Sequence, residues 1–253
     1  MKKIDELNYE RLSPGNELAD FVKCFWRLEN TGPADIPVTI LPDGYFDILF
    51  VSVDRKPSRP YLIGLATIEA PFTVLAKSTT YSVSFKLPAA EYILKTNISP
   101  LLDKRQRLPD DFWQLHERDF YDLEAFATSV SAILTKSLDE KTDPRKLALF
   151  NTLYHLNGAI KVEEAAGSAA WSSRQINRYF HINFGLSLKK YCNILRFRGS
   201  FEQLHSGTLS PVPGYFDQPH FIREVNKFSG TSPRHLANNK KDRFIQLSTL
   251  TDE

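Results

Sequence analysis

Two hydrophobic periods divide this chain. Tyr81-Ser82-Val83-Ser84-Phe85-Lys86-Leu87 alternates strictly, which places Tyr81, Val83, Phe85 and Leu87 on one face. That is the repeat of a strand with one buried side, because successive side chains of an extended backbone point in opposite directions. Phe46 to Val53 is instead a continuous apolar, β-rich run, suited to a strand covered on both faces. It follows Pro42-Asp43-Gly44, a strong turn signal. Shorter runs at Phe21–Leu28, Tyr61–Leu65 and Phe72–Ala76 lie between polar or Pro/Gly breaks. The spacing predicts a small β-barrel or sandwich up to about residue 115.

Beyond residue 118 the period becomes helical. Leu123, Phe126, Val130, Ile133 and Leu134 mark one apolar stripe. The polar stretch from Leu138 to Asp143 ends at Pro144, which can open the next helix because its missing N–H would be unbonded there anyway. No strand pattern follows as far as Lys240. The expected class is α+β, with a β-rich domain over residues 1–140 and an all-α domain over residues 141–253.

Composition narrows the class further. Of 253 residues, 42% are hydrophobic and 25% charged, as in folded soluble proteins. No apolar run approaches the roughly 20 residues that span a bilayer. The start, Met1-Lys2-Lys3-Ile4-Asp5-Glu6, lacks the apolar core of a signal peptide. Two distant cysteines, Cys24 and Cys192, offer neither a CxxC motif nor a disulfide framework. These features predict a reduced, cytoplasmic protein with no membrane partner. The net charge of +2 hides an asymmetry: residues 1–150 carry 19 basic and 22 acidic groups, whereas residues 171–243 carry 12 basic and 4 acidic. A basic module fused to a mildly acidic one is the electrostatic footprint of polyanion binding, although solvated basic faces are common.

Enzyme chemistry has little support. All six histidines lie at or after His116, so the strand-rich part cannot build a multi-histidine metal centre, and no cofactor is implied. Asp43 and Asp47 can be read as a carboxylate pair, but a turn-capping and a strand-end aspartate are the plainer account. No phosphate-binding glycine loop, nucleophile elbow or zinc-protease motif occurs. Cys24 reads as a small buried hydrophobe. Phe25, Trp26, Phe46, Phe50 and Phe85 can line a ligand pocket or simply pack a core.

The helical part carries the sharpest signal. Val162 to Gly167 predicts a short helix, Ala169-Ala170-Trp171 a turn, and Ser172 the N-cap of a second helix with Ile176 and Phe180 inward. Arg174, Asn177, Arg178 and His181 then project from another face. Arginine can bind guanine, and asparagine adenine, through two hydrogen bonds each in the major groove. A solvated polar face is the bland alternative. An amphipathic helix from Ser187 to about His205 follows, then Gly214 to Phe228, where Asp217 can cap a helix with Pro219 in its first turn.

Two blocks resemble the DNA-binding domain of the AraC family of bacterial transcription regulators. The first is Ser172-Ser173-Arg174-Gln175-Ile176-Asn177-Arg178-Tyr179-Phe180, with Gly185-Leu186-Ser187 and Tyr191. The second runs Gly214-Tyr215-Phe216-Asp217-Gln218-Pro219-His220-Phe221-Ile222-Arg223-Glu224, with Phe228-Ser229-Gly230-Thr231-Ser232-Pro233. Leu41-Pro42-Asp43-Gly44 and the strand after it more weakly resemble the cupin-like sensor of one AraC-type subgroup.

The resemblance implies two helix-turn-helix units joined by a long helix. Ser173, Arg174, Asn177 and Arg178 would read DNA from the first, and Gln218, His220 and Arg223 from the second. Lys189 and Lys190 would touch phosphates or only solubilise. It further implies double-stranded DNA, RNA polymerase, a small-molecule effector and a second copy of the chain as partners. One departure stands out. Only Thr208 to Pro213 separates Gly207 from Gly214, and six residues with two prolines cannot form the scaffold helix the family has there. The second unit is therefore expected to be truncated and the first to dominate base reading. Two alternatives stay open: a small-molecule-binding cupin-like protein with a structural helical tail, and a degenerate regulator acting through protein contacts.

Overall fold

A computed structural model describes residues 2–4, 7–53, 59–139, 141–208, 214–238 and 244–248. The described residues of the first half include nine strands: β1 (Lys2–Ile4), β2 (Leu7–Leu12), β3 (Val22–Asn30), β4 (Ile36–Ile40), β5 (Phe46–Val53), β6 (Arg59–Ile63), β7 (Ala70–Val74), β8 (Ser78–Phe85) and β9 (Arg105–Arg107). Seven of them form one antiparallel sheet in the order β1-β2-β3-β8-β5-β6-β9, while β4 and β7 pair separately. Pro37, without an N–H to donate, fits a two-stranded piece in which one edge needs no partner. A short helix, α1 (Pro88–Tyr92), leads out of β8.

Strand alternation divides the large sheet into two faces with different neighbours. Phe25, Phe46, Ile48, Phe50, Tyr81, Val83 and Phe85 enter the main core. Helix α2 (Leu123–Ser137), N-capped by the Asp122 side chain accepting from the Ala125 N–H, covers that face with Leu123, Phe126, Val130 and Leu134. Phe126 has no exposure and sits 5.3 Å from the Tyr81 ring, 5.7 Å from Phe50 and 6.4 Å from Phe25, spacings at which aromatic edges and faces attract. Trp26, Asp47, Leu49 and Ser84 occupy the opposite face. The small sheet packs over part of it through Leu7, Leu28, Val38 and Val74. The expected sandwich is thus an unequal pair of sheets.

The helical half comprises α3 (Pro144–His155), α4 (Val162–Ser168), α5 (Ser173–Phe184), α6 (Leu188–Gly199), α7 (Phe201–His205), α8 (Gln218–Ser229), α9 (Pro233–Ala237) and α10 (Ile245–Ser248). Pro144 stands at the first position of α3, behind an Asp143 cap. The connecting helix expected over Ser187–His205 is not continuous: it breaks between α6 and α7 at Ser200. The Ser200 hydroxyl bonds the Phe197 carbonyl at 2.6 Å and its N–H bonds the same carbonyl at 3.0 Å, so local bonds replace one rung of the helical ladder. Residues 209–213, most of the shortened connection, lie outside the described residues. Among the described residues no helix is long and apolar enough to cross a membrane, and no group of three His, Cys, Asp or Glu could hold a metal ion.

The two halves meet at a tyrosine-rich seam. Tyr191, fully buried on α6, donates to the Gly44 carbonyl at 3.0 Å, and its hydroxyl lies 2.9 Å from that of Tyr154 on α3. Tyr154 also accepts the Leu87 N–H at 2.9 Å and stacks on Tyr45 at 5.6 Å. Gly44 adopts φ +83°, and a Cβ there would stand 2.7 Å from Leu195 Cδ2. The glycine is needed twice over, for its left-handed turn and for the close approach of α6. Gly44→Ala is expected to lower the unfolding midpoint by an amount corresponding to about 1–3 kcal/mol, read by denaturant titration. An unchanged midpoint would show that the turn and α6 can separate without cost.

Candidate nucleic-acid interface and the cavity behind it

Helix α4, the turn through Ala169 to Trp171 and helix α5 form a helix-turn-helix. Ala170 takes φ +54° in the turn. Ser172 and Gln175 cap α5 reciprocally: the Gln175 N–H bonds Ser172 Oγ at 3.3 Å and the Ser172 N–H bonds Gln175 Oε1 at 2.8 Å. Gly185, in the left-handed conformation at φ +77°, ends the helix. Ile176, Phe180 and Phe184 are buried, which turns Arg174, Arg178 and His181 outward along one exposed edge. Tyr179 ties the helix to the first half: its hydroxyl donates to Glu91 Oε2 at 2.8 Å, and Lys146 Nζ bonds Glu91 Oε1. Burial beside the Glu91 charge pushes the Tyr179 phenol up, so it stays a neutral donor.

The predicted readers divide into two groups. Arg174 and Arg178 are exposed, and neither makes an ion pair or hydrogen bond among the described residues. Asn177 is placed differently from its expected role: half-buried, it donates to the Ser173 carbonyl at 2.9 Å and accepts the Leu188 N–H at 3.3 Å, joining α5 to α6. Ser173 is half-buried beneath it. Lys189 is exposed, whereas Lys190 is half-buried.

In the second block Asp217 caps α8 by accepting the His220 N–H at 2.7 Å, Pro219 lies in the first turn, and Gly230 closes the helix at φ +64°. Gln218 and Arg223 are exposed, but His220 Nδ1 accepts the Phe216 N–H at 3.2 Å, so its ring serves the turn. Phe221, Val225 and Phe228 form the buried edge. Arg196 holds the loop ahead of this helix through the Gly214 carbonyl at 3.1 Å.

Behind these helices lies a cavity of about 840 Å³ between the second face of the large sheet, the small sheet and the helical half. Its polar end gathers Asp43, Asp47, Ser84, Lys23 and Arg198, and its apolar wall includes Trp26, Ile40, Leu49 and Phe72. Asp43 caps its turn by accepting the Tyr45 N–H at 3.1 Å. Asp47 accepts from the Ser84 hydroxyl and, at 3.3 Å, from Ser82, while Trp26 Nε1 donates to Ser84 Oγ at 3.0 Å. The bland reading of both aspartates therefore holds locally, yet tertiary folding makes them a pair. They lie deep within the protein volume but keep partial access to the cavity. Desolvation, then the neighbouring Asp47 charge, pushes the Asp43 carboxyl up to about 7, and desolvation pushes Asp47 up as well. Burial and the Asp47 charge raise the Cys24 thiol to about 11, which keeps it protonated and unreactive at neutral pH.

Arg198 comes to this site from α6, its guanidinium over the Tyr45 ring at 4.9 Å. Sequence reasoning counted Arg198 only in the basic surplus of the helical half. The hint it missed was polarity inside apolar strands, namely Asp47 in β5 and Ser82 and Ser84 in β8.

Residues 10–107 match a family model described as a domain of unknown function (DUF6597). No curated protein matches the chain. Among solved structures, an apo variant of ToxT from Vibrio cholerae strain SCE256 aligns over 91% of this chain and 96% of its own, with TM-score 0.43 and 10% identity. ToxT from Vibrio cholerae O395 aligns over 93% and 98%, with TM-score 0.42 and 11% identity. Unsaturated fatty acid-bound wild-type ToxT from strain SCE256 aligns over 100% of both chains, with TM-score 0.39 and 11% identity. The two sequence blocks that resemble AraC-type regulators fall on α5 and α8, each a capped helix with an apolar inner edge and a basic outer one.

Proposed function

We propose that this protein is a sequence-specific, cytoplasmic transcription regulator of the AraC type that reads the major groove of double-stranded DNA with α5. The β-rich half acts as a cupin-like sensor and dimerisation domain, and the cavity takes a small-molecule effector. A second copy of the chain and RNA polymerase are the protein partners such a regulator implies. It works by binding, not catalysis. The observation that carries this reading is Arg174 and Arg178, one turn apart on the outer edge of a capped helix-turn-helix, with no competing carboxylate among the described residues. Their spacing lets adjacent guanidinium groups reach successive base edges from one helix face. Arg223 and Gln218 on α8 form a second, smaller reading edge, and Lys189 supplies a phosphate contact.

The test is in vitro selection of bound duplex from random sequence, repeated at two salt concentrations. A defined motif should emerge, with affinity falling steeply as salt rises because each neutralised phosphate releases counterions. On the selected site Arg174→Ala should cost about 1–3 kcal/mol and relax preference at one base pair, whereas Lys189→Ala should weaken all sequences alike. Arg223→Ala should cost less than Arg174→Ala. Binding with no preference over random competitor would overturn the reading.

A further inference from the structure

Asp43, Asp47 and Arg198 line the same cavity without an ion pair between them among the described residues. Neither Asp43 nor Asp47 makes an ion pair among the described residues; their acceptor sites are met by the Tyr45 N–H and by serine hydroxyls. Arg198 faces the same space with no hydrogen bond or ion pair among the described residues, held only against the Tyr45 ring. The guanidinium still acts on Asp43 electrostatically, pulling its carboxyl down against the larger effects of burial and Asp47. A buried carboxyl pair and a half-buried guanidinium that share one end of a cavity without pairing are costly unless a third group lies between them. An apolar stretch of the wall is built by Trp26, Ile40, Leu49 and Phe72, while Arg11, Glu69, Asp103 and Arg105 line other parts of it.

We propose that this cavity binds an amphipathic zwitterion of the amino-acid type, its ammonium received by Asp43 and Asp47, its carboxylate by Arg198, and its apolar side chain by the Trp26–Leu49–Phe72 wall. A simple cation would leave Arg198 without an acceptor, and a simple anion would stand beside two carboxylates. Only a molecule with both charges a few bonds apart satisfies both ends. The assignment rests on reading the cavity as the effector site. It adds a route for coupling, since Arg198 belongs to α6, the helix between the two DNA-reading units. A ligand bridging Arg198 to the Asp43 turn clamps α6 to the sheet, beside the Tyr191–Gly44 bond already there.

The experiment uses the full chain without DNA and matched probes: L-phenylalanine, L-tryptophan and L-leucine, each beside its decarboxylated amine and its deaminated acid. Calorimetry and thermal shift should show saturable binding of at least one amino acid, with its amine and its acid each at least about tenfold weaker, because each lacks one charge-assisted contact. Asp43→Asn should lower affinity for the amino acid and spare the acid, and Arg198→Gln should lower it and spare the amine. The trio on the unaltered chain decides the matter even where a variant fails to fold. An acid or an amine binding as tightly as its parent amino acid, or no binding by any probe at millimolar concentration, overturns the assignment. Sequence-selective DNA binding measured without any probe separates that failure from failure of the regulator reading.

Discussion

Replacing Phe180 with alanine is expected to destabilise the protein by about 3–5 kcal/mol, the range for deleting a fully buried aromatic side chain. Phe180 has no exposure and its ring lies 5.3 Å from Phe184, 5.6 Å from Tyr191 and 5.7 Å from Phe150, so its removal leaves a cavity walled by three other rings. Those rings are held from α3, α5 and α6 at once, which limits how far the site can collapse. The loss also reaches function, because Phe180 is the inward anchor of the helix whose outer edge carries Arg174 and Arg178. Guanidinium denaturation should show a lower midpoint with an unchanged slope. Arg178→Ala on the same helix should move stability by less than about 0.5 kcal/mol while lowering DNA affinity, which separates packing from contact. A Phe180→Ala cost below about 1 kcal/mol would mean that this core is loosely packed and does not position α5.

The second large effect is a fall in stability as pH rises between about 4 and 7. The Asp43 carboxyl titrates near 7 in the folded protein against 3.8 for an unperturbed aspartate, so the folded state binds the proton more tightly than the unfolded chain. Stability is highest below the unfolded value, declines through the window between the two, and levels off above the folded value. One such group contributes a slope of at most about 1.4 kcal/mol per pH unit. Asp47 shifts in the same direction and adds to it. Arg198, which faces the pair from α6, opposes the Asp43 shift without cancelling it. At the acid end Asp143, held down to about 2 chiefly by the Arg145 side-chain hydrogen bond, works in the other sense, its contribution fading only below pH 4. Asp43→Asn removes one titration, so its stability curve should be flatter between pH 4 and 7 and should lie above that of the parent protein at pH 7. A parent curve that rises across the window would show that Asp43 is neither desolvated nor coupled to Asp47.

The cavity is where local reading stopped. Ser82 and Ser84 occupy alternate positions of a strand whose other face is Tyr81, Val83 and Phe85, and such positions ordinarily face water. Here Ser84 lines a space roofed by the small sheet and by side chains from α6, α7 and α10, and Ser82 bonds Asp47 beside it. Asn177 shows the same limit in reverse. Its helical phase matches an exposed reader, but an adjoining helix start, the Leu188 N–H, claims its carbonyl. Ser187 to His205 kept a helical apolar stripe throughout, yet the backbone breaks at Ser200, where a hydroxyl bonds the preceding turn.

By itself the sequence determined the order of strands before helices, the faces of β8, α2, α5 and α8, and the caps at Ser172 and Asp217. Each depends on dihedral preference, alternation or a hydrogen bond spanning no more than four residues, so a single stretch of chain contains all the information. The tertiary structure alone decided which polar residues meet: Asp43 with Asp47 and Arg198, Tyr191 with Gly44, Tyr179 with Glu91. Those encounters join positions 88 to 155 residues apart, apart from the four-residue step between the aspartates. They follow from how the sheet twists and where α6 lands on it, and no local period encodes that geometry.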